Sequence, residues 1–323
     1  MNPENKKIRA AVVGVGYLGK FHAQKYAKMA GVELVGVVDT DTERACEEAA
    51  TLGTRAYTDY RDLIGKVDAV SIVVPTSDHF EVSRTLLEND VDLLVEKPFT
   101  TTLDEADELI RISEARGLLV QVGHLERFNP AVVALKDIIK KPLFIESHRL
   151  STFKARATDV SVVLDLMIHD IDFILNFVKS ELKTIHAAGI PVITESVDIA
   201  NARIEFENGC VANVTASRAS MKDERKIRLF QQDAYISIDF ANHEATIVHR
   251  KADSDDGFIP GMEIESRTFP KGDALDEELK SFIESVKNRT EPSVTGQMGR
   301  DALKTALDVM SQIQQARANL RLA

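Results

Sequence analysis

The sequence predicts an α/β protein of two domains: a doubly wound parallel sheet in residues 1–123, then an α/β domain with a mostly antiparallel, open sheet in residues 124–323. Three observations predict it. Short apolar runs alternate with amphipathic stretches through the first third. A glycine-rich turn joins the first run to the first amphipathic stretch. Beyond residue 124 apolar runs follow one another through short turns, which parallel strands do not permit.

Residues 8–13, IRAAVV, read as a buried strand, and GVGYLGKFHAQKYAKM turns through glycines into a helix. A strand over 33–39, a helix over 41–52, a short strand near 55–57 and a strand over 67–75 follow. A helix near 78–89, the strand VDLLVEKP (91–98), a helix near 103–116 and the strand 118–123 complete the first domain. In the second, a helix begins at the Asn129-Pro130 cap and continues to about 141. The strand PLFIESHRL precedes a helix over 160–178. An ENG turn at 207–209 joins two strands, and further strands lie near 226–231, 234–240 and 244–249. The acidic, Gly/Pro-containing stretch 251–265 reads as a loop, and helices near 274–287 and 296–319 close the chain.

GVGYLG, Gly14 to Gly19, fits G-x-G-x-x-G between a strand and a helix. Gly14 permits the tight turn, Gly16 admits a pyrophosphate, and Gly19 lets helix pack on strand, with Tyr17 and Leu18 completing the loop. The motif alone is weak. Asp39, at the end of the second strand, stands where an acid meets the adenosine ribose hydroxyls, which raises its weight. Asp39 repels a 2′-phosphate, Thr40 to Glu43 offer no compensating cation, and Arg44 is the nearest one, so NAD is the expected cofactor over NADP. Ligands of such sheets lie beyond the carboxyl ends of the strands, which selects Pro75, Thr76, His79, Glu96, Lys97 and His124 as further cofactor contacts. His79 is equally readable as a residue stabilising its helix. Lys97 sits where the nicotinamide end belongs, or is an ordinary lysine at a strand end.

LDLMIHDIDFIL, residues 164–175, carries three aspartates and a histidine among apolar residues. On an α-helix Asp165, His169, Asp172 and Asn176 fall within an arc of roughly 60°. Such a stripe is either a solvated edge or faces a polar cavity.

Composition narrows the function classes. A net charge of −11 argues against phosphate-backbone binding, so no nucleic-acid partner is expected. The two cysteines form no C-x-x-C pair, the opening MNPENKKIRAAVVGVG lacks a signal-peptide core, and no apolar run reaches membrane-span length. A cytoplasmic protein without a metal site or membrane contact is expected.

GVGYLG, EKP (96–98), GHLERFNP (123–130) and DLMIHDID (165–172), in that order, resemble the Gfo/Idh/MocA family of nicotinamide-dependent sugar oxidoreductases over essentially the whole chain. The resemblance implies a Rossmann domain followed by a domain whose open sheet often mediates oligomers, here a homo-oligomer, dimer or tetramer. It implies that Lys97, Asp165 and His169 are the catalytic residues. Many members carry a glycine run before the aspartate where this chain has VSVV.

GHLERFNPAV and DLMIHDID together look most like the members that act on nucleotide sugars. That implies oxidation of the 3-hydroxyl of UDP-N-acetylglucosamine, with an aminotransferase acting next on the keto sugar toward lipid A. A diphosphate needs cations, and Arg149 and Arg156 are available, or are exposed charges beside a loop. Arg127 and Asn129 contact substrate or cofactor, or hold the interdomain turn. The mechanism implied has His169 as base and Asp165 as hydroxyl ligand or imidazole-orienting group. Lys97 stabilises the alkoxide, and Asp172 is an alternative orienting group. Two other readings stay open: a dehydrogenase of inositol or another polyol, and a non-catalytic NAD(H)-binding regulator.

Overall fold

The structure is a computed structural model and describes residues 7–154, 160–250 and 261–321. The chain opens with β1 (Ile8–Val13), α1 (Gly19–Lys28), β2 (Val32–Val38), α2 (Thr42–Leu52), β3 (Arg55–Tyr57) and β4 (Ala69–Ile72). It continues with α3 (Thr76–Leu87), β5 (Asp92–Glu96), α4 (Leu103–Arg116) and β6 (Val120–Gly123). The six strands pair in parallel in the order β3-β2-β1-β4-β5-β6. The order reverses between β1 and β4, so the loops after these two strands diverge and leave a crevice at their carboxyl ends. β4, β5 and β6 are buried at every position, which is why they read as continuous apolar runs without alternation. Helix ends are set locally. Asp41 caps α2 and Thr102 with Glu105 forms a capping box on α4, while Gly53 and Gly117 end the same two helices in the left-handed region.

The chain then forms α5 (Pro130–Leu135), β7 (Phe144–Leu150), a π turn (Val163–Met167) and α6 (Ile168–Val178). Seven strands follow: β8 (Leu182–Ile190), β9 (Ile199–Phe206), β10 (Val211–Ser217), β11 (Glu224–Phe230), β12 (Ala234–Asp239), β13 (Glu244–Arg250) and β14 (Met262–Thr268). With β7 they make one sheet in the order β14-β13-β12-β11-β7-β10-β9-β8, in which β10 runs parallel to β7 and the other neighbours are antiparallel. One face is apolar, with Ala202, Ile204, Val214, Ile227 and Ile236 packed in one core with Ile171 and Ile174 of α6. The opposite face carries polar residues such as Asn201 and Arg203, the period-two pattern of a sheet covered on one side.

The last elements are α7 (Ala274–Asn288) and α8 (Gly296–Arg321). Here the expected division of the chain needs correction. Among the described residues, one compact unit contains those up to 125 together with 273–301, and the other contains those between 126 and 272 together with 302–321. The physical reason is the apolar face of α7: Leu275, Leu279, Phe282, Ile283 and Val286 belong to the core of Ala10, Val12, Ala23 and Leu94. Fully burying Leu279 and Phe282 contributes about 1.5–3 kcal/mol each. Val122 N–H donates to Val294 O, and Gln121 bridges to Thr295, so the first unit's sheet is extended by this returning segment.

Other expectations shift as well. The helix expected to run from Asn129 to about 141 ends as α5 at Leu135. The loop expected over 251–265 overlaps β14, which begins at Met262, and residues 251–260 lie outside those described. The helix expected over 160–178 opens as a π turn, in which Ile168 N–H reaches Val163 O.

Candidate functional site

The first unit presents a glycine cradle. Gly14 has φ +88, and a Cβ there would lie 2.5 Å from Val73 O. A Cβ on Gly19 would lie 1.8 Å from Gly14 O, so only glycine lets α1 start this close to the loop. At Gly16 a Cβ would meet nothing within 4 Å, which leaves open space over the backbone where a pyrophosphate would lie. The loop is tied to the strand ends: Gly14 N–H donates to Val38 O at 2.8 Å, and Val15 N–H donates to Asp39 Oδ2 at 3.0 Å. Gly14, Gly16, Asp39, Thr40 and Pro75 line one cavity of about 690 Å³, large enough for the adenosine half of a dinucleotide. Tyr17 is 71% exposed and borders a second, adjoining cavity, Leu18 is the α1 N-cap residue, and Thr76 opens α3. The cradle, the strand-end acid and the uncapped start of α1 fit NAD.

Thr58 and Tyr60 also line the large cavity and were not anticipated. Applying the carboxyl-end rule to β3, which ends at Tyr57, would have found them. Arg44 lines it too, with Nη1 at 3.1 and 3.2 Å from the two oxygens of Asp39. The cation that the sequence left merely nearby is therefore seated on the acid.

Three of the expected cofactor contacts are buried. His79 is buried, with Nδ1 at 3.0 Å from Pro98 O and Nε2 at 3.0 Å from Val74 O. It links the end of β4 to the turn after Lys97. Burial pushes its pKa down, partly countered by these carbonyls. Glu96 is also buried. Its Oε1 lies 3.3 Å from Nε2 of the buried His22, and Oε2 accepts the Lys97 N–H at 3.2 Å. Burial raises the Glu96 carboxyl, but the hydrogen bond and charge of His22 and the charge of Lys97 outweigh it, so the net shift is downward. His124 is buried as well. Lys97 is half-buried just beyond the carboxyl end of β5, joined to Pro98 by a cis peptide.

In the second unit, Asp165 lies in the π turn and His169 near the start of α6, both half-buried. The stripe expected along one helical face is divided. Both oxygens of the buried Asp172 accept from Arg127, at 2.7 Å each, and Asn176 Oδ1 accepts from Arg127 Nη1 at 2.6 Å. Arg127 and Asp172, both expected at the substrate, thus form a buried bidentate pair. Asn129 caps α5 by accepting the Ala131 N–H at 3.0 Å.

Arg149 corrects the expectation of a free cation for a diphosphate. It is 5% exposed, and it donates to Asp170 at 2.9 and 3.0 Å and to Glu126 at 2.9 Å. Burial lowers its pKa, but Asp170 and Glu126 outweigh that and the guanidinium is held charged. Arg156 lies outside the described residues. Lys97 belongs to the first unit and Asp165 with His169 to the second.

Comparison with known proteins adds the following. The profile described as the Gfo/Idh/MocA oxidoreductase family, NAD-binding Rossmann fold, matches residues 8–124, and the Gfo/Idh/MocA C-terminal domain matches 143–237. The chain is 41% identical to UDP-N-acetylglucosamine 3-dehydrogenase of Acidithiobacillus ferrooxidans over 94% of this chain and 96% of that one. A solved structure of UDP-N-acetylglucosamine 3-dehydrogenase from that organism superposes with a TM-score of 0.90 at 39% identity, covering 96% of this chain and 98% of that one. The chain is 30% identical to scyllo-inositol 2-dehydrogenase (NAD(+)) of Bacillus subtilis over 90% of this chain and 89% of that one.

Proposed function

Because the chain belongs to the Gfo/Idh/MocA family of NAD-binding oxidoreductases, we propose that it oxidises the 3-hydroxyl of UDP-N-acetylglucosamine to a ketone. The observation that carries the choice of sugar is the 41% identity, over nearly the full length, to an enzyme of that name. Bound NAD supplies the hydride acceptor. His169, half-buried near the start of α6, takes the hydroxyl proton, the role for which an imidazole is suited. Asp165 binds a neighbouring hydroxyl or orients the imidazole. Lys97 donates to the reacting oxygen as negative charge grows on it, its backbone held by Glu96. Arg127, Asp172 and Arg149 act through the shape of the second unit, because their charges are spent on one another and on Asp170 and Glu126.

A ketone at that position is a substrate for transamination, so an aminotransferase is proposed to act next. Oligomerisation through the polar face of the eight-stranded sheet and a cytoplasmic location are part of the same reading. Among the described residues no helix is long and apolar enough to cross a membrane, and Cys46 and Cys210 are both free thiols. A polyol dehydrogenase is the second reading, favoured by the inositol-oxidising relative and by the engagement of Arg149.

The test is absorbance of reduced nicotinamide with NAD and UDP-N-acetylglucosamine, UDP-glucose or myo-inositol offered separately, a partner aminotransferase and amine donor pulling the equilibrium. Turnover confined to UDP-N-acetylglucosamine is expected, whereas turnover with inositol alone would discard the nucleotide-sugar proposal. On the accepted substrate, Lys97→Met and His169→Ala should each lower kcat/KM by about 10²–10⁴-fold. Values within a few-fold of wild type would remove these residues from the chemistry.

A further inference from the structure

We propose that His22, buried in α1, is a positioning residue for Lys97 and acts through the carboxylate of Glu96. The inference rests on the reading of Lys97 as donor to the reacting oxygen and is independent of the sugar oxidised.

Glu96 ends β5 and pairs with Gly123 of the parallel neighbour β6. A Cβ on Gly123 would lie 2.9 Å from both Cδ and Oε1 of Glu96, so the carboxylate occupies the space that a side chain there would take. From that place Oε2 accepts the Lys97 N–H at 3.2 Å, and Oε1 lies 3.3 Å from His22 Nε2. The carboxylate thereby fixes the plane of the peptide between residues 96 and 97, and with it the direction in which the Cα–Cβ bond of Lys97 leaves the strand end.

His22 is held by its helix rather than by a loop. Gly19 seats the first turn of α1 on the glycine loop, and Tyr26, one turn beyond His22 on the same face, joins its hydroxyl to Ser71 Oγ of β4 at 2.8 Å. The His22 ring is fully buried, and its Nδ1 has no hydrogen-bond partner among the described residues. Such a ring is a poor core residue, because an unmet buried polar atom is destabilising where leucine would pack without that cost. What histidine supplies and leucine cannot is a polar nitrogen against Glu96. Burial alone would raise the Glu96 carboxyl, and His22, followed by the charge of Lys97, reverses this and keeps the carboxylate ionised. The attraction is mutual, so loss of His22 takes from the lysine both a fixed backbone and a steady charge beside it.

The test is kinetic, in the full chain with NAD⁺ and UDP-N-acetylglucosamine, or myo-inositol should the wild type oxidise that instead. His22→Leu should lower kcat by about 10–10²-fold, the scale of a small misplacement at a reacting centre, with both KM values within a few-fold of wild type. His22→Gln, whose amide N–H can reach Glu96, should recover most of the rate. Gly123→Ala, which pushes the Glu96 carboxylate aside and leaves His22 unchanged, should lower kcat as His22→Leu does. In a Lys97→Met background both substitutions should change kcat by less than about twofold, since the residue they act through is gone. A His22→Leu loss that persists undiminished in that background would report a general disturbance of the fold and overturn the inference. Wild-type kcat in His22→Leu or in Gly123→Ala would overturn it as well. If His22→Leu does not fold, Gly123→Ala and its double variant with Lys97→Met decide by the same criteria. A Lys97→Met rate within a few-fold of wild type would bring down the reading of Lys97 itself.

Discussion

A buried histidine with a carbonyl oxygen against each ring nitrogen cannot satisfy both while it is neutral, because neutral imidazole has one N–H. His79 is in that position, between Val74 O and Pro98 O, yet burial holds its pKa below the ordinary value. Between the folded and the ordinary pKa the unfolded chain binds the extra proton, so stability rises with pH in that window. The stabilisation is fully present above about pH 6.5, the ordinary imidazole pKa, and is lost as pH falls toward the folded value. His79→Gln, which does not titrate, should flatten this part of the profile. Urea midpoints at several pH values between 7.5 and 5.5 measure it, and an unchanged acid slope in the variant would show that the wild-type loss arises elsewhere. At this scale the sequence was uneven. Gly14, Gly19 and Asp39 were legible because a backbone constraint or a strand end dictates their residue type. Arg149 was not, since whether an arginine is free depends on Asp170, which is brought to it by a different element.

Elements carry the second unit's electrostatics. Glu126 and Arg127, adjacent in sequence, reach two different positions around α6: Arg127 grips Asp172, and Glu126 grips Arg149, which grips Asp170. The clasp fixes α6 next to the π turn that carries Asp165, and an extra residue in a helical turn re-aims the side chains before it relative to those after it. Arg127→Met would take the bidentate partner from the buried Asp172 carboxylate, at a cost of about 3–5 kcal/mol. Arg127→Met with Asp172→Leu should recover much of that. Urea denaturation of the two variants tests it, and a single variant within 1 kcal/mol of wild type would mean the pair contributes little. The two strands the sequence did not show, β8 and β14, are the two edges of the large sheet. Each has one neighbour and only partly covered faces, so the apolar alternation of both is weak. The π turn escaped detection because its apolar pattern is that of an ordinary helix.

At the scale of the molecule, two sheets with different strand direction were legible from the change of pattern near residue 124, but the path of the chain between them was not. α7 is amphipathic wherever it packs, and nothing local in it says that its apolar face belongs with Ala10 and Leu94. A fragment of residues 1–125 should consequently expose the surface that Leu279 and Phe282 cover. Dye binding to exposed apolar surface and self-association on gel filtration are expected, both relieved when residues 273–301 are joined to it through a flexible linker. A monomeric 1–125 fragment with a cooperative melt would show that α7 is dispensable. The same arrangement sets an order of events on the ribosome. The nascent first unit, although made first, stays unfinished while residues 126–272 are translated, on the order of ten seconds at usual elongation rates. The second unit's sheet, complete by β14, emerges before α7 does, so the half of the protein that binds the nucleotide is sealed late.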